Sequence, residues 1–171
     1  MPTDTIYGLV GQALNQKTVE RIYQVRRRRP DKPLIILIGS FDDLKLFDIK
    51  LSAGDRKILR KLWPGQVSVI LPCLSPKFSY LHRGTKSLAF RLPDKKWLRD
   101  VLRQTGSLVA PSANPEGGEP AKNLSEARKY FGNSVNFYYG RGNLVALPST
   151  LVKLDRGKME VLRQGKVKIK K

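Results

Sequence analysis

Four arginines in a row, Arg26 to Arg29, followed three residues later by Lys32, make the densest cation cluster in the chain. Guanidinium groups this close repel one another, so an anion is expected against at least two of them, and their planar forks suit carboxylate or phosphate. Taken alone, the same run also reads as a wet helix end facing solvent or RNA. Pro2-Thr3-Asp4-Thr5-Ile6-Tyr7-Gly8-Leu9 gathers two hydroxyls, a carboxylate, a phenol and a glycine. That mixture fits a ligand-contacting turn, or an Asx or ST turn serving only its own backbone. Arg91 lies within an apolar strand pattern and needs an anion. Ser112 and Asn114, in Pro111-Ser112-Ala113-Asn114-Pro115, offer neutral donors to a phosphate or a base.

These residue types support binding and polarising anions rather than covalent catalysis. Ser112 lacks the Gly-x-Ser-x-Gly elbow, and no Gly-x4-Gly-Lys-Ser/Thr loop occurs. Cys73 and His82 are the only cysteine and histidine. Nine positions apart and with no orienting residue marked out, they make a poor nucleophile and base pair, and Cys73 reads as small apolar filler. One cysteine excludes an internal disulfide, and together the two exclude Cys-based and imidazole-rich metal sites.

A chain of 171 residues with 40% hydrophobic content is expected to fold as one domain, residues 1–171, with a basic tail at 166–171. No apolar run nears the roughly 20 residues that span a bilayer, so a cytoplasmic protein with no membrane partner is expected. Lys and Arg total 33 against 14 Asp and Glu, a net charge of +19. That balance favours a polyanion partner, because neutralising phosphates releases counterions.

The elements that must position these groups alternate between strand and helix. Val19, Ile22, Tyr23 and Val25 recur at helical spacing, predicting a helix over Thr18 to Arg28 that Pro30 and Pro33 stop before a buried strand, Leu34 to Ile38. This places the basic turn at the mouth of a sheet, where open α/β proteins bind ligands. Ser52 with Asp55 predicts a capping box and a second helix that ends at Trp63-Pro64-Gly65. A strand over Val67 to Leu71, a polar loop over Cys73 to Lys86 and a strand over Ser87 to Leu92 follow. Asp94 is expected to cap a helix over Lys95 to Thr105, with Gly106 after it. Leu108 to Ala110 delivers Ser112 at a strand end, and Glu116-Gly117-Gly118-Glu119 forms a flexible loop able to act as a lid. Asn123 with Glu126 starts a short helix ending at Gly132, Val135 to Tyr139 reads as a strand, and Gly140 to Asn143 as a mobile turn. Strands at Leu151 to Leu154 and Met159 to Arg163 come next, and the tail after Gly165 reads as an edge strand or a loose basic tether.

The ordered set PTDTIYGL, a basic turn with KPLIILI, WPG, FRLP, APSAN, PST and LRQG resembles the YrdC-like threonylcarbamoyl-AMP synthases across nearly the whole chain. Any one motif is weak, whereas seven in order are specific. The resemblance implies an α/β fold, a twisted mixed sheet with flanking helices around a deep basic cavity. It implies synthesis of threonylcarbamoyl-AMP and pyrophosphate from L-threonine, bicarbonate and ATP with Mg2+. Other proteins then transfer the threonylcarbamoyl group to tRNA, and relatives bind structured RNA.

Carried over by motif, Thr5, Arg91, Ala110 and Ser149 meet threonine, with Arg91 on its carboxylate. Lys32, Ser87, Ser112 and Arg163 meet ATP, and Asn114 completes the Ser-x-Asn signature. The family's Lys-x-Arg pair falls on Arg26 and Arg28 when KPL is aligned without a gap, and on Arg27 and Arg29 when the Arg-Pro step is the anchor. We take the ungapped choice, which makes Arg26, Arg28, Ser112 and Asn114 the expected catalytic group, with Arg28 also on ATP. Three departures stand out. The family's lysine is an arginine here, Leu37 stands where many relatives have a histidine near the amino acid, and the strand that usually leads into PTDT is absent, so that an edge is exposed or the recorded start is internal. The alternative to an active synthase is an RNA- or tRNA-binding module of the same fold that has lost turnover.

Overall fold

In the computed structural model, residues 1–140 and 142–169 are described. Seven strands form one mixed sheet in the order β1-β5-β2-β4-β3-β6-β7. They are β1 (Gly11–Gln12), β2 (Ile35–Leu37), β3 (Val67–Pro72), β4 (Ser87–Arg91), β5 (Leu108–Val109), β6 (Thr150–Asp155) and β7 (Lys158–Arg163). Pairs β2/β4 and β3/β6 are parallel and the others antiparallel.

Among the described residues five α-helices flank the sheet: α1 (Gln16–Arg26), α2 (Ala53–Leu62), α3 (Ser79–His82), α4 (Lys96–Thr105) and α5 (Leu124–Phe131). Strand alternation splits the core in two. Ile36, Val69, Phe90, Val109 and Val152 pack in one cluster with Val19 and Ile22 of α1, Leu59 of α2, Leu81 of α3 and Phe131 of α5. On the other face Leu37, Leu108 and Ala110 meet Leu98 and Leu102 of α4.

Local signals account for most helix ends. Ser52 Oγ accepts from Asp55 N at 3.0 Å while Asp55 accepts from Ser52 N at 3.1 Å, the expected reciprocal cap of α2. Asn123 Oδ1 caps α5 through Glu126 N at 2.9 Å. Helix α1 ends two residues earlier than the periodicity predicts. Arg27 turns left-handed at φ 50°, and its N–H and that of Arg28 close back on Gln24 and Tyr23 carbonyls, so the stop comes before either proline. Helix α4 starts at Lys96 with Lys95 at the cap position, so Asp94 lies one residue too early to cap it.

Three further expectations are corrected. Residues 73–86 are not a plain loop: Phe78 and Leu81, three apart and buried, wind Pro76–Phe78 and α3 into helical turns. Val135 to Tyr139 is not a strand. Val135 and Tyr138 turn inward while Asn136, Phe137 and Tyr139 are exposed, which is not the alternation a sheet requires, and Tyr138 is tied by its hydroxyl to Gly132 O at 2.7 Å. The tail through Ile169 is neither strand nor tether. Lys166 N donates to Pro148 O at 2.9 Å, and Val167 and Ile169 pack against the main core. Lys170 and Lys171 of the tail, and Arg141 of the Gly140 to Asn143 turn, lie outside the described residues.

Candidate active site

The first nine residues clamp onto the segment leaving β5. Gly8 bridges Ser112, Leu9 N donates to Pro111 O at 3.0 Å, and Ala113 N donates to Tyr7 O at 2.9 Å. Between them Thr3 to Ile6 forms a turn, closed by Thr3 Oγ1 donating to Ile6 O at 2.7 Å and accepting from Thr5 N at 3.2 Å. The local ST turn is therefore real, yet it leaves Thr3 and Thr5 facing a cavity of about 90 Å³. Thr5, Arg91, Ala110, Ser112, Ser149 and Arg163 all line that cavity, with Ile35 as part of its apolar wall.

Arg91, in β4, already has an internal counter-ion. Its Nη2 lies 2.8 Å from Asp4 Oδ1, with both side chains almost fully buried. The contact lacks hydrogen-bond alignment, and Arg91 Nε and both Asp4 oxygens have no hydrogen-bond partner. Burial pushes Asp4 up against the pull of Arg91, and burial pulls Arg91 down against the pull of Asp4.

Arg163 reaches the cavity through a break in strand alternation. In β7, Glu160 opposes Lys153, but a register shift lets Arg163 oppose Leu151, two residues further on the partner's face. Without the extra residue Arg163 would share the face of Val161, which packs on the main core. As placed, its Nη2 donates to Ser149 O at 2.9 Å, and burial lowers its pKa. Ser149 Oγ is 2.8 Å from Ser68 Oγ. The glycine of LRQG is required here: a Cβ on Gly165 would lie 2.3 Å from Pro148 O and 2.6 Å from Ser149 C. The glycine of WPG has a similar cause, since a Cβ on Gly65 would lie 2.5 Å from Leu62 O.

The basic turn lies on the far side of Ser112. It enters β2 at that strand's amino end, not at a carboxyl end as the open-sheet analogy implies; the mixed sheet sets it beside the carboxyl end of antiparallel β5 instead. Arg26, only 2% exposed, donates from Nε to Asn114 O at 2.9 Å and from Nη2 to Ser112 Oγ at 3.2 Å, while Nη1 is unpartnered. Burial, then the charge of Arg28, lowers Arg26 to about 10, so it stays charged at neutral pH. Asn114 Nδ2 pins the following loop through Pro115 O and Gly118 O.

Arg28 donates to the carbonyls of Lys32 and Pro33 at 3.1 Å each, bracing the turn, with Tyr23 Oη on the same Lys32 carbonyl at 3.0 Å. Arg29 pairs with Asp31 at 2.8 Å in the open, and Lys32 pairs with Glu116. The anions the run requires are thus partly supplied by the chain itself. Of the two registers weighed for the Arg pair, only Arg26 reaches Ser112 and Asn114; Arg27 is exposed and caps α1.

Ser87 sits at the opposite end of β4 from Arg91, its hydroxyl bonded to Thr85 Oγ1 at 3.3 Å, and does not line the cavity. Leu37 is buried against α4 and likewise does not line the cavity. Cys73 is buried, its thiol pushed up by burial, and His82 Nδ1 accepts from Gly84 N at 3.1 Å; both serve the fold. Two residues escaped the sequence reading. The sequence marks Asp4 only as part of a ligand-contacting or Asx turn, although a lone strand arginine calls for a carboxylate, and Glu116 only as part of a flexible loop able to act as a lid. A larger concavity, an open trough of about 1190 Å³ by Gln12, Arg21 and Thr105, contains none of the expected site residues. Among the described residues no three His, Cys, Asp or Glu side chains are grouped to hold a metal ion.

Comparison with known proteins bears on the fold and the family. The family model Sua5_yciO_yrdC, described as telomere recombination, matches residues 1–165. A putative threonylcarbamoyl-AMP synthase of Mycobacterium tuberculosis is 31% identical over 171 residues, covering 98% of this chain and 77% of that protein. The threonylcarbamoyl-AMP synthase of Bacillus subtilis is 30% identical over 170 residues, covering 96% of this chain and 48% of that protein, so the chain spans about half of its length. Pyrococcus abyssi Sua5, solved in complex with L-threonine, superposes at a TM-score of 0.86 and 27% identity over 96% of this chain and 49% of that one. Escherichia coli YciO shares the fold at 20% identity and a TM-score of 0.82, over 96% of this chain and 81% of that one. With a family match over nearly its whole length, the chain belongs to the YrdC/Sua5-like threonylcarbamoyl-AMP synthase family.

Proposed function

We propose that the chain is an L-threonylcarbamoyladenylate synthase. L-threonine, bicarbonate and ATP react to give threonylcarbamoyl-AMP, pyrophosphate and water, and other proteins transfer the threonylcarbamoyl group to tRNA in the cytoplasm. What supports this most is one observation: Thr5, Arg91, Ala110, Ser112, Ser149 and Arg163, remote in sequence, line one cavity, and Ser112 joins it to the buried Arg26.

In this reading threonine occupies the cavity, its carboxylate toward the free Nε of Arg91 and its hydroxyl among Thr5 and Ser149. Asp4 offsets the charge of Arg91, and Arg163 leaves the pocket one cation in excess, which suits the carboxylate end of the amino acid. The triphosphate lies along Arg26, Arg28 and Lys32, with Ser112 between the two substrates. The uncharged amine of threonine attacks bicarbonate to give a carbamate, and a carbamate oxygen then attacks the α-phosphate while pyrophosphate leaves. The difficulty in that second step is anion against anion. Arg26, held charged and dehydrated, offsets it and stabilises the growing charge on pyrophosphate, so positioning and electrostatics carry the rate without a covalent intermediate. Mg2+ would accompany ATP and would offset phosphate charge; among the described residues no three His, Cys, Asp or Glu side chains are grouped to hold it, so it would arrive with the nucleotide.

The alternative, an RNA-binding module that has lost turnover, draws on a separate feature, the exposed Arg56, Lys57, Arg60 and Lys61 of α2. The deciding experiment measures pyrophosphate released from ATP by the purified protein. Release that requires both threonine and bicarbonate is expected. None under any combination, together with salt-sensitive tRNA binding, would leave the binding module.

A further inference from the structure

The carboxylate of Glu116 sits where two donors of the basic turn converge: it accepts from the backbone N–H of Arg29 and from Lys32 Nζ. The residue comes from the Pro115 to Glu119 loop, and its own N–H donates to Arg26 O at 2.8 Å, the last carbonyl of α1. The base of that loop is fixed by Asn114, whose amide holds Pro115 O at 2.7 Å and Gly118 O at 2.8 Å. Gly117, at φ 83°, gives the loop a bend with nothing crowding it. Only the Glu116 side chain therefore has to rotate for the two donors to be freed. A backbone N–H beside an ammonium is an anion-binding pair, and the chain has filled it with an anion of its own.

We propose that Glu116 is a resident competitor at the nucleotide contact already assigned to Lys32: its carboxylate occupies Arg29 N–H and Lys32 Nζ and is displaced as a phosphoryl group of the nucleoside triphosphate enters. The proposal rests on the synthase reading for the identity of the nucleotide, but the subsite itself depends only on the donor geometry. The hydrogen bond from Lys32, then that from Arg29 N–H, holds Glu116 down to about 2, so it remains an anion at every working pH and yields to competition rather than to a proton. A singly charged anion gains little by replacing it. A phosphoryl group carries more charge and more acceptor oxygens, which biases the subsite toward polyphosphates. Arg26 and Arg28 stand next to the same loop, so the displaced carboxylate leaves a cation surplus that the incoming triphosphate neutralises.

Calorimetric titration at fixed ionic strength tests this, with ATP and with inorganic tripolyphosphate as ligands. The proteins are the wild type, Glu116→Gln and Glu119→Gln. The first variant keeps an acceptor for Arg29 N–H but removes the competing charge, and the second makes the same change in net charge elsewhere in the loop. If the carboxylate fills the subsite nine-tenths of the time, its removal tightens binding about tenfold. A gain of roughly threefold to tenfold in Glu116→Gln with little change in Glu119→Gln is expected. Equal or weaker binding by Glu116→Gln, or an equal gain in Glu119→Gln, overturns the proposal. ATP binding by the wild type without a gain in Glu116→Gln removes the subsite and leaves the nucleotide reading standing. Tripolyphosphate binding that tightens in Glu116→Gln without any ATP binding keeps the subsite and removes the nucleotide reading. Binding of neither ligand by any of the proteins removes both.

Discussion

Arg91 and Arg26 are buried to the same degree, 3% and 2% exposed, but their partners differ in kind. Arg91 faces the carboxylate of Asp4, whereas Arg26 faces a carbonyl and a hydroxyl, which lend dipoles and no charge. The first arrangement is internally compensated and surrounds a small cavity. The second keeps a net positive charge away from water. A paired arginine with one further cation beside it, Arg163, suits a small molecule that carries a carboxylate, such as an amino acid. An uncompensated arginine awaits an anion and binds it more strongly for having been dehydrated beforehand.

The contrast breaks most visibly in stability. Arg91→Ala strands Asp4 as a buried unpaired carboxylate, at a cost of about 3–5 kcal/mol in denaturant unfolding. Adding Asp4→Asn should recover much of that loss, because burial already pushes Asp4 toward its neutral form. In whatever fraction folds, the KM for threonine should rise far more than the Kd for ATP. Equal loss of both would mean that Arg91 does not separate the two substrates.

Arg26→Ala leaves no charge stranded, so its effect should fall on turnover. Pyrophosphate release should drop about 100-fold or more, roughly 2.7 kcal/mol of transition-state stabilisation, with a much smaller loss of stability. Arg26→Lys keeps the charge but not the fork that spans Asn114 O and Ser112 Oγ, and should fall between wild type and alanine. A kcat unchanged in either variant would make the buried guanidinium a packing feature only.

The smallest effect comes from a carboxylate outside both regions. Asp55→Ala removes the carboxylate half of the α2 capping box and the acceptor for Gly157 N, and should lower stability by about 1 kcal/mol while leaving both substrates' binding unchanged. Burial pushes Asp55 up, but hydrogen bonds from the Ser52 side chain, Gly157 N–H and Ser52 N–H outweigh it and hold its pKa below the usual value. A depressed folded pKa contributes stability that is complete above the unfolded value and is lost as pH falls through the folded one. The gap between wild type and variant should therefore be full above about pH 4 and close below it in thermal melts. A gap that does not change with pH would remove the charge from the cap.

What could be read from the sequence, and what could not, follows the range of each interaction. The cap of α2 is written in Ser52 and Asp55 because three residues suffice to define it. The identity of the cavity residues was legible through motifs whose order carries the fold with them. The Asp4 partner of Arg91 was not, because only the closed sheet brings the first turn against β4. Nor was the position of Arg163 on the cavity side, since that depends on one extra residue in β7 and ordinary alternation predicts the opposite face. Val135 to Tyr139 shows the reverse failure: β-branched and aromatic residues promised a strand, but no partner edge takes them, and Arg128 stacks on Tyr138 at 4.6 Å instead.

The most direct test is a structure of the protein with L-threonine and a non-hydrolysable ATP analogue. The amino acid should lie in the cavity of Thr5, Arg91 and Ser149, with the triphosphate along Arg26 and Lys32, its α-phosphate near Ser112, and Glu116 turned away. Either ligand found instead in the open trough beside Gln12 and Arg21, with the Arg91 cavity still empty, would contradict a single site shared by the two regions.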